Sequence, residues 1–157
     1  AFDYNQDGMC DLVMLDHEGF LALFRRTSRD GARVLLPGQR VFLAADGKPL
    51  KLSKGEAGKS GRRKLAMGDW DGDGLLDLFV NSRNVDWYRG LSRTEDGGIR
   101  FATPKSLSGH ILAGHTTSPA LVNWNDRKLP DLVIGAEDGH FYFLPNPFSS
   151  QAEETDR

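Results

Sequence analysis

The sequence predicts an all-β chain made of repeated hairpin units, and three observations predict it. A nine-residue pattern of alternating Asp or Asn side chains occurs three times, at 3–11, 69–77 and 123–131. Each copy runs directly into a short apolar stretch: Leu12-Val13-Met14-Leu15, Leu78-Phe79-Val80 or Leu132-Val133-Ile134. No helical spacing of apolar residues persists over a useful length, whereas a pattern recurring every few tens of residues marks a repeat architecture.

The first unit opens with Asp3-Tyr4-Asn5-Gln6-Asp7-Gly8-Met9-Cys10-Asp11. Its apolar strand is followed by a turn ending in Gly19 and a return strand from Phe20 to Phe24; Arg33 to Leu36 and Arg40 to Leu43 are further strand candidates. In the second unit, Lys64 to Met67 leads into Asp69-Trp70-Asp71-Gly72-Asp73-Gly74-Leu75-Leu76-Asp77, and the chain returns through Val85 to Arg89, with Ile99 to Ala102 beyond. Asn84 stands where the first unit has its turn glycine, as the residue that best tolerates left-handed geometry after Gly. The third unit has Ala120 to Val122, then Asn123-Trp124-Asn125-Asp126-Arg127-Lys128-Leu129-Pro130-Asp131, a turn ending in Gly139 and a return strand from His140 to Leu144.

Each pair of runs reads as a hairpin with a turn of about four residues. The runs after the loops are apolar on both faces, which fits strands covered on both sides. Position two of every loop is aromatic (Tyr4, Trp70, Trp124), a packing position repeated between neighbouring sheets. The loops start at residues 3, 69 and 123, and such a period holds four short strands with their turns, as in a propeller blade. Residues 1–148 are therefore expected to be three repeat units, about three blades of a β-propeller, and 149–157 a polar, disordered tail.

The loops also suggest a ligand. Oxygen atoms at alternate positions of a tight loop can converge on one hard cation, and calcium takes six to eight of them. Loop one offers Asp3, Asn5, Asp7, the carbonyl of Met9, and Asp11; loop two offers Asp69, Asp71, Asp73, the carbonyl of Leu75, and Asp77. Glycine at position six (Gly8, Gly74) lets the backbone turn with positive φ so that the next carbonyl swings inward. Carboxylates crowded this closely repel one another unless a cation lies between them. An EF-hand would need a bidentate Glu at position twelve and a helix after it, but Met14, Val80 and Ile134 stand there inside apolar strands. Loop three has Arg127 for the third acidic ligand and Lys128 for the glycine, so two calcium sites are expected, not three; Arg127 is placed by hydrogen bonds among Asn123, Asn125 and Asp131.

A chain of 157 residues can bury a real core, and its net charge of −2 would become +2 with two calcium ions bound. This is not the charge of a nucleic-acid-binding domain. No apolar run approaches membrane length and no signal peptide is visible, so no membrane insertion is expected. The single cysteine, Cys10, excludes an internal disulfide and is assigned to packing. Only Ala1 and Phe2 precede Asp3, where such a unit should have a leading strand, so the chain is expected to be part of a longer one.

At these residues, reading Asp-aromatic-Asp/Asn-x-Asp-Gly-x-x-Asp-Leu-Val, the chain resembles the FG-GAP/VCBS-type calcium-loop repeats of β-propeller proteins. Such repeats occur in integrin α-subunits and in many secreted bacterial proteins, including some polysaccharide lyases. The resemblance implies a propeller, commonly seven-bladed, in which the metal loop joins the first and second strands of a blade and serves structure. This chain would be its C-terminal part, with the remaining blades on a longer chain as partners. Calcium loops of this kind suit the millimolar calcium outside cells, hence a secreted, extracellular or periplasmic setting.

Two functions follow as expectations. One is a calcium-stabilised scaffold or binding module for a polysaccharide or protein ligand. The basic stretch from Lys48 to Lys64 (Lys48, Lys51, Lys54, Lys59, Arg62, Arg63, Lys64) could grip acidic sugars, or be a solvated loop. Its Gly58-Lys59-Ser60 ending is not a phosphate loop, since Ser53 stands where the leading glycine belongs. The alternative is part of the catalytic propeller of a polysaccharide lyase or glycosidase, with His110 and His115 as candidate bases in a glycine-containing loop.

Overall fold

The computed structural model describes residues 1–53, 63–107, 109–112, 116–124 and 126–149. Most of the basic stretch, His115, Asn125 and nearly all of the polar tail lie outside the described residues. Every named element is a β-strand, and the chain divides into two compact units: Ala1–Arg63 with Thr94–Arg100, and Lys64–Arg93 with Phe101–Arg157. Among the described residues no helix is long and apolar enough to cross a membrane.

In the first unit, β1 (Leu12–Leu15) pairs antiparallel with β2 (Leu21–Phe24), placing Leu12 opposite Phe24 and Leu15 opposite Leu21. Next, β3 (Arg26–Arg29) and β4 (Ala32–Leu35) form a tight hairpin. Asp30 and Gly31 turn it with φ of 51° and 78°, the left-handed pair that a two-residue hairpin with matching twist requires. The Asp-Gly dipeptide carried that signal in the sequence, although β3 itself has no apolar pattern. Leu21, Ala22, Leu23, Phe42, Leu50 and Leu52 are buried in this unit. The strand expected from Arg40 to Leu43 is absent as regular structure; isolated bridges join Leu23 to Gln39 and Leu43 to Pro49. Pro37 and Gly38 break the approach, and Pro49 has no N–H with which to extend a ladder.

The second unit holds an antiparallel sheet in the order β5 (Leu65–Gly68), β6 (Asp77–Asn81), β7 (Val85–Tyr88) and β10 (Lys105–Ser106), with β8 (Gly90–Arg93) and β9 (Ile99–Phe101) falling between β7 and β10 in sequence. Each strand is antiparallel to its neighbour, and β10 contributes only two residues to the edge. A three-stranded sheet follows, β11 (Ser118–Val122), β12 (Asp131–Gly135) and β13 (Phe141–Leu144), with Leu121 opposite Leu132 and Leu132 opposite Leu144. The two sheets share a core of Trp70, Phe79, Val85, Leu132 and Ile134, against which Ala66, Leu121, Tyr142 and Leu144 pack.

β6 is buried along its whole length and β12 over most of it, as apolar runs without alternation require, whereas β1 leaves Met14 44% exposed. Two expectations about single residues are corrected. Asn84 does not take a left-handed conformation; its side chain accepts from the Val85 N–H (2.8 Å) and donates to the His110 carbonyl (2.6 Å), shaping the turn by hydrogen bonds. Cys10 is exposed and does not pack.

Candidate metal centre

The acidic loops sit where the sheet topology needs a connection. Loop two joins β5 to β6 and loop three joins β11 to β12, while the Phe2–Asp11 bridge closes loop one. At position one, Asp3 accepts from the N–H groups of Asp7 (3.0 Å) and Gly8 (2.8 Å), and Asp69 accepts from Gly72 (2.8 Å) and Gly74 (3.0 Å). At position five, Asp7 accepts from Met9 and Asp73 from Leu75, both at 2.9 Å. These short-range bonds wind the backbone around the loop centre. Winding also needs left-handed residues, which occur at position four (Gln6 at 60°, Gly72 at 79°) and position six (Gly8 at 84°, Gly74 at 83°). The positive φ expected of the position-six glycines is present, and position four is a second left-handed site that the sequence pattern alone did not reveal.

The loop-closing carboxylates Asp11 and Asp77 are buried. Asp11 accepts from the backbone of Tyr4 (3.2 Å) and Arg26 (2.7 Å), and Asp77 from Trp70 (3.1 Å) and Gly90 (2.7 Å). Each therefore clasps the start of its own loop to the end of the following hairpin. Burial pushes Asp77 up to about 6; the N–H groups of Gly90 and Trp70 act in the opposite direction, and the Asp71 charge adds to the rise.

One carboxylate oxygen from each of Asp69, Asp71 and Asp73 lies within 4.8 Å of the others, the single cluster of three or more potential metal-ligating His, Cys, Asp or Glu side chains among the described residues. The Asp71 side chain is only 6% exposed, and its Oδ1 is buried without a hydrogen-bond partner. Loop one has no such cluster because Asn5 takes the third position; its Nδ2 donates to Asp7 (2.9 Å). The carboxylates of loop two have the hard oxygen chemistry that suits calcium.

Loop three keeps part of this frame. Asp126 is left-handed at 51°, but Lys128 at position six is not. Asp131 is buried and accepts from the Asn146 N–H (2.8 Å), while its Oδ2 has no partner. The expected bond from Arg127 to Asp131 is therefore absent. Trp70 is 1% exposed and packs edge-on against Phe79 with centroids 5.3 Å apart; Trp124 is 65% exposed and rests against Phe143 at 5.4 Å. Tyr4 is half-buried, edge-on to Phe42 at 5.7 Å. The aromatic position thus packs fully only in loop two. His110 is exposed, fixed through its carbonyl by Asn84.

Residues 3–80 match the family model of the FG-GAP-like repeat. No curated protein and no solved structure matches the chain. Residues 3–80 therefore carry an FG-GAP-like repeat, which suggests a β-propeller repeat module, and they contain both glycine-bearing acidic loops.

Proposed function

We propose that this FG-GAP-type repeat chain is a calcium-stabilised segment of a β-propeller, acting as a scaffold or binding module for an acidic glycan in a longer secreted protein. The observation that carries the calcium reading is the convergence of Asp69, Asp71 and Asp73 within 4.8 Å, in a loop already wound by its own backbone hydrogen bonds. In loop two the ion would be held by Asp69, Asp71, Asp73, the Leu75 carbonyl and Asp77. In loop one it would be held by Asp3, Asn5, Asp7, the Met9 carbonyl and Asp11, with one carboxylate fewer. An ion that binds only the folded loop stabilises the fold by mass action, and the weak, carboxylate-rich design suits the millimolar calcium outside cells.

The glycan part of the proposal draws on two surface features. The stretch from Lys48 to Lys64 is rich in cations. Trp124, Phe141 and Phe143 are exposed aromatic side chains on one unit, of a kind that sugar rings can stack on. A lyase or glycosidase would need a positioned acid or base; His110 is exposed, with its carbonyl accepting from Asn84.

Calorimetric titration of the metal-stripped chain with calcium tests the core of the proposal. Two sites, one of them lost in Asp73→Asn, are expected; no heat of binding together with no rise in melting temperature overturns it. A uronate-rich polysaccharide should bind without turnover, less tightly as salt is added. Release of unsaturated sugars would replace the binding module by the lyase.

A further inference from the structure

Arg89 follows β7 directly, and its guanidinium lies on the acidic cluster: Nε donates to Asp71 Oδ2, and Nη2 donates to Asp73 Oδ2 at 3.1 Å. The peptide bond that follows it is held at both of its polar groups, because the Gly90 N–H is held by Asp77 (2.7 Å) and the Arg89 carbonyl accepts from the Ala102 N–H (2.8 Å). The side chain is 47% exposed, so the guanidinium has solvent to move into while the backbone stays in place.

We propose that Arg89 is an internal stand-in for the metal, a cation that holds Asp71 and Asp73 when no divalent ion is bound and must be displaced when one binds, so that it sets the affinity of loop two. This rests on the calcium reading above. A planar fork with a single charge cannot serve the whole cluster. It leaves Asp71 Oδ1 buried and unpartnered, and Asp69 held only by backbone N–H groups. A spherical divalent ion can gather oxygens from all sides and carries twice the charge.

The first unit supplies an internal comparison. Leu12 opposite Phe24 and Leu78 opposite Tyr88 put Arg25 at the place of Arg89. Arg25 instead donates to Gln39 Oε1 at 3.1 Å, and Asp7 takes its side-chain hydrogen bond from Asn5. Pro145 stands at the corresponding place after β13. The guanidinium therefore goes to the acidic loop only where three carboxylates converge.

The test is a calcium titration of the full chain carrying Asp7→Asn to weaken loop one, compared with the same chain also carrying Arg89→Met or Arg89→Lys. Arg89→Met keeps the apolar stem and should bind calcium about five- to tenfold more tightly at loop two. Arg89→Lys, which keeps the charge but loses the fork, should fall between. Melting curves give a second reading: Arg89→Met should lower the metal-free melting temperature yet leave the calcium-saturated one unchanged or higher. Binding by all three chains with equal affinity overturns the competition while leaving the calcium reading intact, and weaker binding in a folded Arg89→Lys does the same. Absence of calcium binding in every chain overturns both.

Discussion

Loop one and loop two close on closely similar backbone hydrogen bonds, position one reaching positions five and six in the first and four and six in the second, but differ in what those bonds enclose. In both, position one accepts two N–H groups, position five accepts one, and the buried position-nine Asp clasps the hairpin behind it. Loop two gathers three carboxylates and draws in Arg89; loop one has Asn5 in the middle and leaves Arg25 on Gln39. The frame and the charge set are thus separable properties of one motif. Backbone donors make the loop, and the third acidic residue decides whether it attracts a cation. Loop three shows the converse: without a left-handed residue at position six, half of the clasp is lost and Trp124 stands out in solvent.

The largest effect expected from breaking this comparison is at the clasp. Asp77→Ala strips the acceptors from the N–H groups of Trp70 and Gly90 in a buried setting and should cost about 3 kcal/mol or more in urea unfolding. Asp131→Ala, which removes an acceptor from one N–H only, should cost roughly half as much. Equal losses would mean that the clasp is not what distinguishes the loops.

Next in size is Gly74→Ala. No atom lies within 4 Å of an added Cβ, so the cost is that of the left-handed backbone alone, about 1–2 kcal/mol in thermal melts. Lys128→Gly should bring no matching gain in loop three, where the backbone is not left-handed. A smaller gain, on the order of 0.5–1 kcal/mol, is expected from Gln6→Gly, because Gln6 holds a φ of 60° that Gly72 adopts without strain in loop two.

The smallest effect is electrostatic and belongs to the first unit. Arg40 bridges Asp16 (2.6 Å) and Glu18, holding the Glu18 carboxyl below the ordinary range. For Asp16 burial acts upward, but hydrogen bonds from the N–H groups of Phe20 and Glu18 and from Arg40 outweigh it together, and this carboxyl too is lowered. A carboxylate lowered on folding contributes stability above its unfolded value and loses it as pH falls through the folded value. Stability should therefore decline below about pH 4, with a shallower decline in Arg40→Gln. Identical slopes in pH-dependent melts would remove Arg40 from the account.

Much of this molecule was legible in the residues. The loops, their left-handed position six, the apolar strands behind them and the return strands after Gly19 and Gly139 all lie where the pattern put them, because each is set by contacts within a few residues. β3 was missed because Arg26-Thr27-Ser28-Arg29 has no apolar alternation; its pairing follows from the Asp30-Gly31 turn. The sequence by itself determined which side chains could form an acidic cage, since alternation within nine residues is a local geometric fact. Only the tertiary structure decided that Arg89 turns to the cage while Arg25 turns away, that Asp77 also clasps Gly90, and that Trp70 is buried while Trp124 is not. Those choices depend on partners distant in sequence, and a long side chain with several possible acceptors settles on whichever the packed chain brings within reach.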